Sequence, residues 1–211
     1  MTSGINKLFF QFLLIILSGF SGSIKDVSET INRIPFLEEK ENVDDIEFTF
    51  SLLGNQVKIS GRFQISSELE CTKDITFNFD HKKNYTLGVN AFLLEKTGLD
   101  WYEVYFIIEK YYFTKVKALY HYAIDDENNE INFHMKSSEV NIESFNIVKS
   151  SSGSFRFNKN GDKTDIQYDL NYDIEPTIFL KTLYNIQKKE SIRFLTDYKT
   201  YLENHCELKI Q

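Results

Sequence analysis

The sequence predicts one α+β domain: a curved antiparallel β-sheet wrapped around a long C-terminal α-helix, with two short helices after the first strand. Three observations carry this expectation. From Asp45 to Ile174, apolar residues return at alternate positions in run after run, and short turn-forming clusters separate the runs. One stretch, 66–87, switches to helical spacing. From Pro176 to Glu207 the apolar residues follow helical spacing without interruption, a run far too long for a connector.

Composition bounds the rest. A chain of 211 residues with 42% hydrophobic and 26% charged residues is an ordinary globular protein with room for one good-sized core. The net charge of -7, with no Lys/Arg run, argues against nucleic acid as the main partner, because phosphate binding needs a concentrated positive surface. The 19 Phe and 12 Tyr, set against only 2 Pro, suit long uninterrupted strands.

The chain begins "MTSGINKLFFQFLLIILSGFSGSIKD". Lys7 precedes an apolar block from Leu8 to Leu17 that only Gln11 breaks, and small residues from Ser18 to Ser23 follow. This is the order of a secretory signal peptide over 1–23, and the block is about half the roughly 20 residues a membrane span needs. An exported protein, periplasmic or extracellular, is therefore expected. The alternative is an uncleaved membrane anchor in which Ile5 and Phe20 extend the block. Residues 24–44 read as a polar, acidic lead-in with no sustained period and a helical turn at Val27–Asn32.

The domain is expected to span 45–207, with a tail at 208–211. Its first element pair is a hairpin: Ile46, Phe48 and Phe50, then Val57, Ile59, Gly61, Phe63 and Ile65, alternate around a Gly-Asn centre. Ser66 or Ser67 can then cap a helix carrying Leu69, Thr72, Ile75, Thr76 and Phe79, and Tyr85 and Leu87 mark a second helix. Both helices are too short to be stable without the sheet. Strands meet at Gly98, and "TKVKALYHYAIDD" places Val116, Ala118, Tyr120, Tyr122 and Ile124 on one face. "EINFHMK" does the same with Ile131, Phe133 and Met135. "SFRFNKNGDKTDIQYDLNYDIE" reads as a hairpin turning at Asn160-Gly161, with Ile166, Tyr168, Leu170, Tyr172 and Ile174 on one face. Short loops between successive strands imply an antiparallel meander. In the last element Leu180, Leu183, Tyr184, Gln187, Ser191, Phe194, Leu195, Tyr198 and Leu202 share one helix face, and Pro176 suits its first turn.

Three stretches carry a family resemblance: "GRFQISSELECTKDITFNFDHKKNY", "EINFHMKSS" followed by "SSGSFRF", and "TDIQYDLNYDIEP" with the final helix. Their order of strand, two short helices, meander and long helix resembles the helix-grip fold of the START and polyketide-cyclase (SRPBCC) superfamily. The branch it most resembles is the coenzyme-Q-binding, cyclase-like one, in an exported form. The likeness covers roughly Asp45 to Glu207. It departs at the tryptophan usual in the first short helix, where Ile75 or Phe77 stands, and at the missing proline near the second, replaced by "KKNYTLGV". The resemblance implies that the first short helix supports the far half of the long one, which would bring Cys71 and Cys206 together as a disulfide. Two separated thiols are the alternative.

No phosphate loop, dinucleotide glycine pattern, nucleophile elbow or paired-cysteine zinc motif is present in the sequence. His81, His121, His134 and His205 lack metal-ligand spacing, and His121 and His134 read as exposed strand residues. Glu103 shares its face with Trp101, Tyr105 and Ile107 and is read as a rim residue. No catalytic residue, metal or cofactor is expected. The resemblance and the face pattern together imply a pocket for a hydrophobic small molecule, lipid or quinone-like, walled by Val116, Ala118, Tyr120, Tyr122, Phe133, Tyr168, Leu170, Leu180, Leu183 and Tyr184. The two alternatives are a cyclase- or hydrolase-like enzyme on the same fold, and a structural or partner-binding module whose aromatics fill the core. Transient membrane contact and a monomeric state complete the expectation.

Overall fold

The computed structural model describes residues 36–86, 89, 91–110, 114–140, 148–175 and 180–206. The expected signal segment, Pro176 and the 208–211 tail fall outside these residues. The sheet opens with three antiparallel strands: β1 (Leu37–Val43), β2 (Ile46–Leu53) and β3 (Gln56–Ile65). Two short helices follow, α1 (Leu69–Phe77) and α2 (Phe79–Tyr85). The meander is then β4 (Ala91–Thr97), β5 (Trp101–Lys110), β6 (Thr114–Asp125), β7 (Glu130–Val140), β8 (Val148–Asn160) and β9 (Lys163–Ile174). The chain ends in α3 (Leu180–Cys206), whose 27 residues span about 40 Å at 1.5 Å each.

One nine-stranded sheet results, in the order β1-β2-β3-β9-β8-β7-β6-β5-β4. Each strand of the meander pairs antiparallel with the next, and β9 returns to β3 in a ten-residue register from Gln56↔Asp173 to Ile65↔Thr164. Pairing of β7 with β8 stops at His134↔Ser152. Beyond that point β7 runs on to Val140 through a bulge that leaves Lys136 without a partner on β6, so the two strands part.

Three strands precede the short helices: the expected hairpin, β2 and β3, and one strand before it. The unexpected one is β1, which lies inside the stretch read as a lead-in. Its alternation is present but disguised, because the half-buried parity is Leu37, Glu39, Glu41 and Val43. Two of those four are acids, and they meet Lys188 of α3 instead of packing as apolar side chains. The turn from β1 to β2 is Asp44-Asp45, both at positive φ (51° and 59°), as a type I′ hairpin requires.

The β8–β9 turn differs from expectation by one residue. Asn160 pairs with Lys163, so Gly161-Asp162 form the loop, with Gly161 at φ 65°. Glycine at the first central position supplies the left-handed residue, and Asn160 stays in the ladder. The cap of α1 also differs. Glu68 occupies the N-cap with no side-chain hydrogen bond, while the Ser67 hydroxyl pairs with Thr72 Oγ1 at 2.8 Å. In α2, Asn78 does cap, accepting from the Asp80 amide at 2.8 Å.

Helix α3 buries Leu180, Tyr184, Ser191, Leu195, Tyr198, Leu202 and Cys206, nearly the face the sequence indicates. It lies tightly on β3: a Cβ placed on Gly61 would come within 2.3 Å of Leu195 Cδ1. The far end is tied to α1 by a Cys71–Cys206 disulfide, with alpha carbons 5.8 Å apart across 135 residues of sequence. Thr76 and Tyr198 join their hydroxyls beside this tie. The architecture is the expected helix-grip fold: the sheet curves around α3 and the two short helices close one end.

Candidate functional site

Alternation aims one side chain in two from β5 to β9 at the interior, and many of these are rings. Tyr102 of β5 stacks on Tyr122 of β6 at 5.1 Å, Tyr122 on Phe133 of β7 at 5.4 Å, and Phe133 on Tyr168 of β9 at 6.2 Å. Phe133 can reach across β8 because Gly153 lies between. A Cβ there would sit 2.5 Å from the ring. From the other side, Phe194 and Tyr198 of α3 meet Tyr168 and Phe155 at 5.5 and 5.4 Å. Among the described residues, ring contacts from α3 reach β3, β8, β9 and α2, and none reaches β4 to β7.

The expected wall is placed as follows. Ala118, Tyr122, Phe133, Tyr168 and Leu170 are buried on the sheet's inner face, and Val116 and Tyr120 are half-buried on the same parity. Tyr120, Tyr122, Phe133 and Tyr168 form one continuous ring cluster. Leu180 and Tyr184 are buried and Leu183 half-buried in the first turns of α3. Those turns lead to Lys188, which meets Glu39 and Glu41 of β1 and lies over the Phe50 ring at 5.3 Å. No ring contact among the described residues joins Tyr184 to the sheet tyrosines.

Polar atoms also reach this interior. The Tyr102 hydroxyl is buried with no hydrogen-bond partner among the described residues, and the buried Ser151 hydroxyl interacts with that of Tyr120. Ser151 lies opposite Tyr172 on the inner parity of β8, and Tyr102 opposite Tyr122. Burial pushes the hydroxyls of Tyr102, Tyr122, Tyr168 and Tyr172 far above the ordinary phenol range, so all stay protonated.

Sequence reasoning missed Lys82. Its residue is only 3% exposed, and its Nζ donates to the Thr76 carbonyl at 3.0 Å and stands 4.2 Å above the Tyr122 ring. Desolvation alone brings the amine down to about 7. The signal was available: Lys82 falls three residues after Phe79 and three before Tyr85, on the apolar face of α2.

Glu103 is not at a rim. It is buried at 5% exposure on the convex face, opposite in parity to Tyr102, and so lies outside the interior where an acid or base would be needed. Lys136 donates to it at 2.6 Å and His121 stands 3.5 Å away. The Lys136 hydrogen bond holds the Glu103 carboxyl below its usual range. His121 in turn stacks on Trp101 at 5.5 Å and meets its cross-strand partner His134 at a tilt, with centroids 5.2 Å apart. Burial and the neighbouring His121 and Lys136 lower His134. Among the described residues no cluster of His, Cys, Asp and Glu is arranged to hold a metal ion. The convex face also carries an open groove of about 620 Å3, lined by polar groups including Ser60, Asn132, Ser152, Ser154, Arg156 and Asp169.

No protein-family model matches the chain, and no curated protein sequence matches it. Solved structures do. The STAR-related lipid transfer protein of Xanthomonas axonopodis superimposes with a TM-score of 0.62 at 10% identity, covering 80% of this chain and 98% of that one. The ZhuI aromatase/cyclase of Streptomyces sp. R1128 gives 0.60 at 9% identity, covering 71% and 94%. A START superfamily protein of Mycobacterium smegmatis gives 0.53 at 10% identity, covering 70% and 97%. At these identities the likeness is one of fold, and that fold is the START-type helix grip.

Proposed function

We propose that this chain is an exported carrier of a hydrophobic small molecule, lipid or quinone-like, held between the inner face of the sheet and α3. The observation that carries the reading is the buried Tyr102 hydroxyl, without a partner among the described residues and set in a field of aromatic rings on the inner face. An unserved buried hydroxyl costs about 1–3 kcal/mol, and a few such groups in an apolar surround are how small-molecule sites orient their ligands. A fold shared with a lipid transfer protein and an aromatase/cyclase is consistent with that use. Affinity would come from apolar burial, about 25 cal/mol per Å2 removed from water. The N-terminal signal supplies export, and the acidic balance favours brief contact with membranes through an apolar rim over adhesion to anionic surfaces.

The test is native mass spectrometry of protein isolated from its own host, compared with the denatured mass, for the wild type and Ala118→Trp. Ala118 is 7% exposed on the inner face, so an indole there occupies interior space. Excess mass that extracts into organic solvent, present in the wild type and lost in the folded variant, is expected. A bare wild-type protein that is also silent toward neutral apolar probes would overturn the reading.

A further inference from the structure

We propose that Lys82 is the head-group anchor of this interior, holding the carboxylate of a long-chain monocarboxylic acid whose tail lies along the aromatic inner face. The inference rests on the carrier reading above and names its ligand class.

The protein's other well-covered lysines show what is unusual about Lys82. Lys73, at 4% exposure, meets Asp126 at 2.8 Å and Glu70 at 3.5 Å. Lys188 meets both Glu39 and Glu41. Lys82 is at least as buried as Lys73, yet among the described residues no carboxylate reaches it. It has one carbonyl, Thr76 O, and the faces of Tyr122 at 4.2 Å and Tyr85 at 5.9 Å. An isolated buried charge is expensive, and an ammonium carries three donors of which the carbonyl takes one.

The surroundings ask for an acceptor. Tyr102, stacked on the same Tyr122 ring, has a buried hydroxyl with no partner. The free N–H groups and that O–H are all donors, and a carboxylate is the acceptor-only group that serves them. One cation balances one negative charge, so a phosphate dianion would leave charge buried and unpaired. The rings beyond Tyr122 offer apolar surface for a hydrocarbon chain and few further polar groups for a large head.

The site also has a pH signature. The titratable groups facing Lys82 are phenols: Tyr85 on its own helix, Tyr122 and Tyr102 from the sheet, and Tyr198 of α3 across Thr76. Burial keeps all four protonated. The charged neighbours on α2 turn elsewhere, His81 to Tyr201 and Asp80 to Lys83. Lys82 is therefore the group that titrates here, near 7 in the empty protein. A bound carboxylate stabilises the ammonium, so above neutrality binding takes up a proton and weakens by about tenfold per pH unit.

The experiment titrates the full-length, disulfide-intact protein with two fluorescent probes, cis-parinaric acid and its methyl ester, from pH 6.5 to 8.5. Lys82→Met and Lys82→Gln are compared with the wild type, the second guarding against misfolding of the first. The wild type is expected to prefer the acid by about tenfold or more at pH 6.5, with the preference shrinking as pH rises. Both variants are expected to lose the acid preference and its pH dependence while binding the ester as before. Lys82→Arg, charged throughout, is expected to keep the preference without the pH dependence. Equal binding of acid and ester by the wild type, or an acid preference that survives both variants, would overturn the anchor and leave the carrier reading intact. Failure of both probes to bind would overturn both.

Discussion

Replacing Lys82 with methionine is expected to make the protein more stable, by an amount that depends on pH. The amine titrates at about 7 when folded, against 10.5 for an ordinary lysine. Above 10.5 it is neutral in both states and contributes nothing. Between 10.5 and 7 the unfolded chain binds a proton the folded one refuses, so stability falls by about 1.4 kcal/mol for each unit the pH is lowered. Below 7 the penalty is complete, about 5 kcal/mol on this difference. Methionine has nearly the same length and removes the charge. A net gain of about 5 kcal/mol is therefore expected at pH 6, fading toward pH 10. Urea unfolding of wild type and variant at five pH values between 6 and 10 measures it. A difference that stays flat across that range, or a variant less stable throughout, would refute the assignment of a buried, unpaired amine.

Other predictions follow from packing. Removing the disulfide as Cys71→Ala/Cys206→Ala frees a 135-residue loop, and a chain-entropy estimate puts the loss at about 5 kcal/mol, read as a lower urea midpoint. Identical unfolding with and without reductant would show that the tie does not form. Gly61→Ala is expected to lose about 1–3 kcal/mol by overpacking, because Leu195 is fully buried and cannot swing away from a Cβ 2.3 Å from its methyl. Tyr198→Phe is expected to cost about 1 kcal/mol, since the Thr76 hydroxyl it leaves behind still bonds the Thr72 carbonyl at 2.6 Å. In Lys188→Met, Glu39 and Glu41 lose their cation and hydrogen exchange should quicken over 37–43 while β2 and β3 stay protected.

What was legible in the sequence was whatever repeats with a local period. The alternation in β2, β3, β6, β7 and β9, the helical face of α3 and the short-helix stretch each announce themselves, because a strand or helix face must be apolar to be buried. β1 stayed hidden because its helix-facing side chains are acids whose neutralising Lys188 comes 147 residues after Glu41. Glu103 was misplaced for a related reason: its cover is made by His121 and Lys136 from neighbouring strands, and the bulge that leaves Lys136 unpaired on β6 depends on the register of β7.

Sequence by itself therefore determined most elements other than β1 and the parity of the clearly alternating strands, since these follow from side-chain spacing along one segment. Tertiary structure alone decided which polar groups were left without partners. Lys82, Tyr102 and Ser151 look like ordinary members of their segments. Only the assembled interior shows that, among the described residues, no carboxylate reaches the amine, no acceptor reaches the Tyr102 hydroxyl, and the Ser151 hydroxyl finds only that of Tyr120. Satisfaction of a buried polar group is a property of the atoms around it, which here come from strands and helices far apart in the chain.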